Sequence, residues 1–200
     1  MKDTALYCVG SEEVEPGDGW PYDTVLSALA AKPSMTPRDV SSLIVDKYIK
    51  SYKASDNVTQ SACDFSKAKA AAEAIDGLAK ALIKGLSNPA VKTALMQARN
   101  QVQSYDTADY VDLVDLCGLL KQSAVSKEIK TSCSSVMNAL TNNGMIVKSG
   151  YKGDTVNNSH GISIYFPIKK ISPLYAKLDF VKKTKWGEFL KEYLKGVKRR

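Results

Sequence analysis

Apolar residues recur at helical spacing through the middle of the chain. The most regular run follows Asp64 or Ser66, either of which can cap a helix, and ends at Ser87-Asn88-Pro89. Three further helices are predicted over about 90–104, 110–122 and 126–140. Residues 66–142 are therefore predicted to form a helical block. The apolar positions of the regular run are Ala68, Ala71, Ala72, Ile75, Leu78, Ala79, Leu82, Ile83 and Leu86.

Runs rich in strand formers lie on both sides of this block. Residues 5–10 and 58–63 precede it, and residues 145–147 and 162–166 follow it. We expect the two later strands to pair with each other across a Gly/Asn-rich loop. Between the two earlier strands, Asp23-Thr24 and Thr36-Pro37 each predict the start of a helix.

The composition is that of an ordinary folded chain, with 200 residues, 44% apolar and 24% charged. This excludes disordered and collagen-like classes. No apolar run approaches the roughly 18 residues needed to cross a bilayer. Residues 1–7 lack the apolar centre and the cleavage site of a signal peptide. We therefore expect no membrane span, and the compartment stays open.

The net charge of +7 is unevenly distributed. The first 35 residues hold two lysines against six acidic residues, whereas residues 168–200 hold eleven basic against three acidic residues. The acidic head suits a cationic ligand, and the basic tail suits nucleic acid or a membrane surface.

The tail closes with a predicted amphipathic helix, whose lysines lie off its apolar face. Aromatic side chains are not interleaved with those lysines as a stacking surface for nucleic acid requires. We therefore expect a solvated basic helix and no nucleic-acid partner. The apolar face is predicted to be Phe189, Leu190, Tyr193, Leu194 and Val197, and the lysines off it are Lys185, Lys191, Lys195 and Lys198.

The four cysteines, Cys8, Cys63, Cys117 and Cys133, form no CxxC pair, and His160 is the single histidine. A structural zinc site is therefore not expected. Each cysteine lies among apolar or small residues, which favours buried free thiols and leaves disulfides open.

Asp106, Asp109, Asp112 and Asp115 recur every three residues at a predicted helix start. Such a row suggests a hard cation such as calcium, but the spacing lacks the turn that wraps ligands around an ion. Acidic residues near a helix N-terminus are favoured by the helix dipole alone. We therefore expect no metal at this row.

Residues 9–22 (VGSEEVEPGDGWPY) form an acidic, glycine-bearing stretch that resembles the clostripain family of cysteine peptidases. Further segments resemble the same family in the same order: residues 58–62, Ala98-Arg99 followed by residues 111–113, and residues 161–167. The resemblance therefore spans essentially the whole chain.

The resemblance implies a caspase-like α/β fold and endopeptidase cleavage after Arg or Lys by a cysteine and a histidine. In the family, a His-Gly motif and an Asp-Ala-Cys motif both precede the acidic stretch, which here begins at residue 9. We therefore expect the C-terminal part of such a peptidase, with no catalytic residue of its own. Its fold class is predicted as α/β, part of a caspase-like sheet with helices on its faces and an inserted helical block.

The expected division has three segments. Residues 1–65 hold the C-terminal strands and the specificity loop of the caspase-like core, and residues 66–142 hold the helical block. Residues 143–200 hold the returning strands and the amphipathic helix.

On this interpretation the chain alone is inactive. Its partners are the N-terminal catalytic part of the peptidase and a protein or peptide substrate with Arg or Lys. The alternatives are a non-catalytic remnant or binding module of the same fold, and a basic surface-binding domain. By resemblance alone, calcium is open as a cofactor, and full-length relatives allow a secreted or periplasmic location.

Asp18 is the residue that the resemblance places at the base of the pocket for the substrate's Arg or Lys. A carboxylate on a glycine-flanked loop can accept two parallel hydrogen bonds from a guanidinium. Without the resemblance, Asp18-Gly19 is simply a turn. Glu13 is predicted to bind substrate as well. Trp20 is predicted either to line the pocket wall or to pack under the loop.

Four other residues near these motifs carry expectations of their own. Glu12 and Glu15, with Glu13, are expected to be solvated loop charges that attract a basic side chain. His160 precedes a glycine as the family's catalytic histidine does, but it comes too late in the order of motifs, so we expect a turn or strand-end histidine. Cys8 lies where the family has an ordinary apolar residue, so it is not expected to be the nucleophile.

Overall fold

The computed structural model describes residues 4–197, which contain eight α-helices and five β-strands. The strands are β1 (Tyr7–Gly10), β2 (Val58–Asp64), β3 (Tyr110–Asp112), β4 (Ile146–Lys152) and β5 (Ser163–Tyr165). The helices are α1 (Tyr22–Ala31), α2 (Pro37–Ser51), α3 (Ala68–Gly85), α4 (Pro89–Gln101), α5 (Leu113–Gln122), α6 (Lys127–Thr141), α7 (Asp179–Lys183) and α8 (Trp186–Val197). The predicted α/β class is confirmed. The three-segment division stays a prediction.

Strand β2 is the centre of a three-stranded antiparallel sheet in the order β1-β2-β4. All seven of its residues are buried, because β1 and β4 lie along its edges and α2 packs against the sheet. The register places Cys8 opposite Cys63 and Ser61 opposite Ser149. Within residues 4–197, the other edge of β1 pairs with no strand.

The predicted pairing of the strands at residues 145–147 and 162–166 is wrong. β4 pairs with β2, and β5 pairs with β3 in a separate two-stranded antiparallel sheet. The periodicity concealed β3 because its three residues run directly into a helix. The helix predicted from about residue 110 therefore begins at Leu113, with Asp112 as its N-cap accepting a hydrogen bond from the Asp115 N–H at 2.7 Å.

The cap predicted at Asp23-Thr24 is wrong, because α1 already begins at Tyr22 after Pro21, with no side-chain cap and with Asp23 inside its first turn. The starts of α2 and α3 agree with their predicted caps. Thr36 and Asp39 form a capping box ahead of α2, with Pro37 at the first helical position. Asp64 caps the short 3-10 turn that leads into α3 by accepting from the Ser66 N–H at 2.9 Å. None of the helices in the described residues is long and apolar enough to span a bilayer.

Helix α8 is part of the main core. The buried ring of Phe166 lies edge-on to Trp186 and Phe189, with centroids 6.0 and 5.5 Å apart. The Trp186 indole donates a 2.8 Å hydrogen bond to the Tyr165 carbonyl, so its polar edge is satisfied inside the core. The predicted apolar face is confirmed for Phe189, Leu190, Tyr193 and Leu194, which are buried, whereas the Val197 side chain and Lys198 lie outside the described residues.

The cysteines are free thiols, and three of them are buried as predicted. Cys63 lies in β2, and Cys117 and Cys133 face each other between α5 and α6. Hydrogen bonding to Cys133, together with burial, raises the pKa of the Cys117 thiol. Cys8 is half-buried in the edge strand β1.

Candidate functional site

The acidic stretch after β1 is anchored to the sheet by one threonine of β2. The hydroxyl of Thr59, which is buried, accepts hydrogen bonds from the backbone N–H groups of Glu12 and Glu13, each at 3.0 Å. Those two bonds take both of its lone pairs, so its own proton is left to donate to Ser11 Oγ at 2.8 Å. The anchor fixes where the Glu12 and Glu13 side chains leave the backbone.

The Glu12 side chain is directed into the protein. Its Oε2 accepts a 2.7 Å hydrogen bond from the Gly161 N–H, whereas its Oε1 is buried without a hydrogen-bond partner. Burial, and secondly the negative charge of Asp112, raise the pKa of Glu12 to about 8. The Glu12 carboxyl is therefore mostly protonated at neutral pH.

Asp112 is the fully buried centre of the polar network beside Glu12. Its Oδ2 accepts from the backbone N–H of His160 at 2.6 Å, and its Oδ1 lies 3.1 Å from His160 Nδ1. The hydrogen bond with Asp112 raises the pKa of His160 above its ordinary value. The raised pKa of His160 favours its charged form, which would lie against Asp112 inside the protein, next to Glu12.

Glu12 and Glu13 line an open cavity of about 280 Å³ beside this network. The Glu13 carboxylate is held at its wall by the Asp106 N–H, at 3.1 and 3.2 Å from its two oxygens. The Glu13 carboxylate suits a cationic side chain through its charge, the tyrosine rings through their faces, and Glu12 as a hydrogen-bonding group that can lose its proton. The cavity is smaller than the roughly 300–1,000 Å³ of drug-sized ligand sites, which suits a single side chain. The other lining residues are Val14, Tyr105, Thr107, Tyr110 and Ser163.

Glu15 and Trp20 fix the far end of the acidic stretch. The two oxygens of Glu15 accept from Trp20 Nε1 at 2.8 Å and from Gln60 Nε2 at 3.1 Å. The Trp20 ring stacks on Tyr22 and meets Tyr48 edge-on, with centroids 6.3 and 6.4 Å away. Trp20 thus packs under the loop and is not among the residues lining the 280 Å³ cavity. Its role in substrate binding stays a prediction.

Asp18 lies at the exposed tip of a turn. Gly19 has φ of +71°, a left-handed conformation that favours glycine, and its N–H donates to the Pro16 carbonyl at 3.1 Å. The Tyr52 hydroxyl holds the turn from below, donating to the Gly19 carbonyl at 2.7 Å. The Asp18 carboxylate makes no hydrogen bond within residues 4–197 and lies outside the cavity lining, so its place in a substrate pocket stays a prediction.

The expectation of solvated loop charges is wrong for Glu12 and Glu15, whereas the Glu13 carboxylate makes its bonds at the exposed surface. Glu12 is bonded to Gly161, Glu13 to Asp106, and Glu15 to both Trp20 and Gln60. Most of these partners are distant in sequence, and the contact with Trp20 depends on how the loop folds back on itself. The sequence around each glutamate therefore does not predict these contacts.

His160 makes its side-chain hydrogen bond to a carboxylate rather than to a sulfur. Its partner is Asp112, and no cysteine of the described chain is hydrogen-bonded to its ring. The residues described here therefore contain no cysteine–histidine pair in hydrogen-bond contact. His160 lies in the loop before β5, separated from its first residue, Ser163, by Gly161 and Ile162, as expected for a turn or strand-end histidine.

The row of four aspartates is divided among separate structural roles. Asp112 caps α5 and Asp115 accepts from the Gln103 N–H at 2.7 Å, whereas Asp106 and Asp109 use backbone groups to position the acidic cavity and β5. Among residues 4–197, no group of three or more His, Cys, Asp or Glu side chains could hold a metal ion.

The lysines of the tail are solvated, and half of those in the described residues are paired with acidic neighbours. Lys185 and Lys195 contact Glu188 and Glu192 at 2.6 and 2.7 Å, and Lys183 contacts Asp179 at 3.0 Å. Pairs this exposed contribute little to stability. They do reduce the positive field that the lysines would otherwise present to a polyanion.

Arg99 joins the end of α4 to the end of β5. Its Nε donates to the Phe166 carbonyl at 2.6 Å, its Nη2 donates to the Ala108 carbonyl, and its guanidinium lies 5.6 Å from the centre of the Phe166 ring. Burial lowers the pKa of Arg99 from its ordinary value. This buried arginine fixes the loop that carries Tyr105 and Thr107 to the cavity.

Comparison with known proteins identifies the family. The model of the clostripain family, the C11 peptidases, matches residues 1–193. The chain belongs to the clostripain family. It therefore belongs to a family of cysteine peptidases, as the sequence resemblance predicted. No curated protein matches the chain.

Solved clostripain-family structures share its fold. An inactive zymogen C11 protease from Parabacteroides distasonis has a TM-score of 0.60 at 17% identity, over 92% of this chain and 53% of its own. A secreted C11 cysteine protease from Bacteroides thetaiotaomicron, in complex with an irreversible peptide inhibitor, has a TM-score of 0.56 at 17% identity, over 94% and 53%. A clostripain from the same species with a peptide inhibitor has a TM-score of 0.57 at 14% identity, over 92% and 78%. The chain spans about half the length of the first two.

Proposed function

We propose that this chain is the substrate-binding part of a clostripain-family cysteine peptidase that cleaves after Arg or Lys. The observation that carries the proposal is the 280 Å³ cavity lined by Glu12 and Glu13 at the end of β1. Two carboxyl groups in a partly dehydrated space bind a guanidinium or ammonium more strongly than a neutral side chain. The basic side chain before the cleaved bond would occupy this cavity.

Glu12 gives the cavity a proton-linked response. With no cation present, Glu12 holds a proton because its pKa is about 8. An entering guanidinium favours the ionised carboxylate, so binding expels that proton and is stronger above pH 8. The Glu13 carboxylate is already positioned by the Asp106 N–H, so it can pair with the cation without first losing a proton, unlike Glu12.

The hydrolysing cysteine and histidine would come from a part of the peptidase that precedes this segment. Two observations support this: His160 is committed to Asp112, and the outer edge of β1 is free among the described residues. A free strand edge presents unpaired backbone groups to which another strand can bind. The longer family structures have room for such a part, since this chain covers 53% of two of them.

The cavity can be tested without catalysis, by following amide chemical shifts of the chain during titration. The two ligands are N-acetyl-arginine amide and N-acetyl-citrulline amide, which have nearly the same shape but differ in charge. We expect the arginine derivative to shift residues 11–14 and Tyr110 at concentrations where the citrulline derivative does not. Equal shifts with both ligands would contradict a cation pocket.

Three variants assign the carboxylates. Glu13→Gln should weaken arginine binding about tenfold or more, since it removes one partner of a charge-assisted bond. Asp18→Asn tests the residue that the family resemblance favours, and an equal loss there would move the pocket to the turn. Glu73→Gln, on the exposed side of α3, is the matched control and should bind as the wild type does.

The same variants can be tested by measuring peptide hydrolysis. In that assay the chain is combined with the proposed catalytic part of the peptidase. Matched peptides carrying Arg, Lys or Gln before the cleaved bond give the preference directly. Retained preference for Arg over Gln in both Glu13→Gln and Asp18→Asn would remove both residues from the pocket.

A further inference from the structure

We propose that Cys8 and Cys63 are a reversible modification site, where a disulfide oxidant forms a bridge across β1 and β2. The two cysteines are direct partners in the antiparallel register. Residues directly opposite each other in such a pair project to the same face of the sheet. This inference does not rest on the proposed peptidase function.

The strand register sets the separation of the two cysteines. The Phe65 N–H donates to the Leu6 carbonyl at 2.8 Å, which makes Leu6 and Phe65 a hydrogen-bonded pair. Because such pairs alternate along the ladder, Cys8 and Cys63, two residues further on, are also a hydrogen-bonded pair. The Cα atoms of such a pair lie about 5.5 Å apart, inside the roughly 4.4–6.8 Å span of disulfides. The Cβ atoms of opposite residues lie about 4.5–5.5 Å apart and must close to the roughly 3.5–4.5 Å of a disulfide, so the bridge keeps the register but draws the two strands slightly together.

The two sulfurs differ in their access to solvent, which sets the order of the reaction. Cys8 is half-buried, so a dissolved disulfide can reach it, whereas Cys63 is only 8% exposed. Burial raises the pKa of Cys63 to about 11, so it reacts as the internal partner rather than as the first nucleophile.

The chemistry is two thiol–disulfide exchanges. The Cys8 thiolate attacks glutathione disulfide, forming a mixed disulfide and releasing one glutathione thiolate, which takes up a proton. Cys63 then loses its proton to solvent and attacks the Cys8 sulfur, and the second glutathione leaves as a thiolate and is protonated. In sum, two protein thiols and one glutathione disulfide become one protein disulfide and two glutathione thiols.

The bridge would fasten the base of the acidic stretch. It closes a loop over residues 9–62, and Thr59, the anchor of Glu12 and Glu13, lies within it near its end. Oxidation would therefore hold β1 to β2 beside the anchor and restrict opening of this edge of the sheet.

The second cysteine pair is a control within the chain. Cys117 and Cys133 are also neighbours, but both are fully buried between α5 and α6. A dissolved oxidant reaches them only when the helices separate. Native-state oxidation should therefore select Cys8 and Cys63.

The experiment treats the 200-residue chain with mixtures of reduced and oxidised glutathione, alkylates the remaining thiols, and analyses trypsin digests by mass spectrometry without reduction. The four cysteines fall in four different peptides, 3–38, 54–67, 100–121 and 131–148, because trypsin does not cleave between Lys32 and Pro33. We expect a linked species of peptides 3–38 and 54–67, two hydrogens lighter than the sum of its parts. Dithiothreitol should reverse it.

The variants and the alternative outcomes decide the proposal. Cys8→Ser should abolish the link and leave Cys63 alkylated, whereas Cys117→Ala should leave the link intact. Glutathione on Cys8 without any link would show that Cys63 cannot reach it, and would overturn the proposal. A link that forms only in urea, or no faster than one between 100–121 and 131–148, would overturn it too. So would a melting temperature of the bridged chain below that of the reduced chain, because the bridge would then distort the sheet.

Discussion

Glu12 makes the stability of this chain depend on pH in a direction opposite to that of most carboxylates. Its folded-state pKa of about 8 lies above the ordinary value of 4.5, so the folded chain binds the Glu12 proton more tightly than the unfolded chain does. The resulting stabilisation is complete below about pH 4.5 and is lost as the pH rises to about 8. His160 acts in the same direction, because its pKa is also raised and its contribution is lost as the pH rises through the folded value.

The magnitude follows from the size of the shift. A difference of one pKa unit corresponds to about 1.4 kcal/mol, so the whole shift is worth roughly 3–5 kcal/mol. Part of it is already lost at pH 5.5. Between pH 5.5 and 8.5 we therefore expect the free energy of unfolding to fall by roughly 2–4 kcal/mol, which is large against the 5–15 kcal/mol of a typical domain.

The perturbation is Glu12→Gln, read by urea unfolding at pH 5.5, 7.0 and 8.5. Glutamine keeps an oxygen that can accept from the Gly161 N–H and cannot ionise, so it resembles the protonated glutamate. We expect the variant to match the wild type within about 1 kcal/mol at pH 5.5 and to be the more stable of the two at pH 8.5.

Two controls separate Glu12 from other titrating groups. Glu73→Gln changes a carboxylate exposed on α3 and should keep the wild-type slope. His160→Gln removes the histidine contribution and should leave most of the slope in place. A wild-type stability that is flat between pH 5.5 and 8.5, or a Glu12→Gln slope equal to that of the wild type, would refute the argument.

Three further predictions concern activity, the tail and the anchor. The chain alone should not hydrolyse Arg or Lys amides, and turnover that is lost in Cys8→Ala or His160→Ala would contradict this. Truncation after Thr184 should lower the melting temperature strongly, since each buried side chain removed contributes roughly 1.5–3 kcal/mol to stability. An unchanged melting temperature would show that α8 does not contribute to the stability of the core. Thr59→Val should leave the Glu12 N–H without its partner and the Glu13 N–H with only its longer bond to Ser11 Oγ, at a cost of about 1–3 kcal/mol, and should speed amide exchange at Glu12 and Glu13; unchanged exchange would count against the anchor.

The fold was predictable from sequence wherever a single helix or strand is defined by its own apolar spacing or by its capping residues. The apolar rows of α3 and α8, and caps such as Thr36 with Pro37, are local features, and they agree with the structure. The pairing of strands is not local. β3 has three residues and no turn before its helix, so it is defined by its pairing with β5 and by the bridge from Val111 to Ser104.

The site was less predictable, for a reason visible in Glu12. A glutamate in an acidic, glycine-rich loop has the composition of a solvated charge, and its burial depends on Gly161, 149 residues away. Asp112 and His160 likewise meet across 48 residues of sequence. The row of aspartates drew attention to Asp112, but its spacing predicted only the start of a helix and not a contact with His160.

The segments that resemble the clostripain family are the segments that hold one another in place. The acidic stretch bonds to residue 161, Asp112 bonds to His160, and Arg99 bonds to Phe166, so residues 160–166 contact each of these segments. A non-catalytic remnant with the same fold would need these bonds as much as a peptidase would. A substitution that removes one of these bonds outright should therefore impair folding and binding together. Glu13→Gln keeps an acceptor for the Asp106 N–H and removes a charge from the cavity wall, so it should impair cation binding without unfolding the chain.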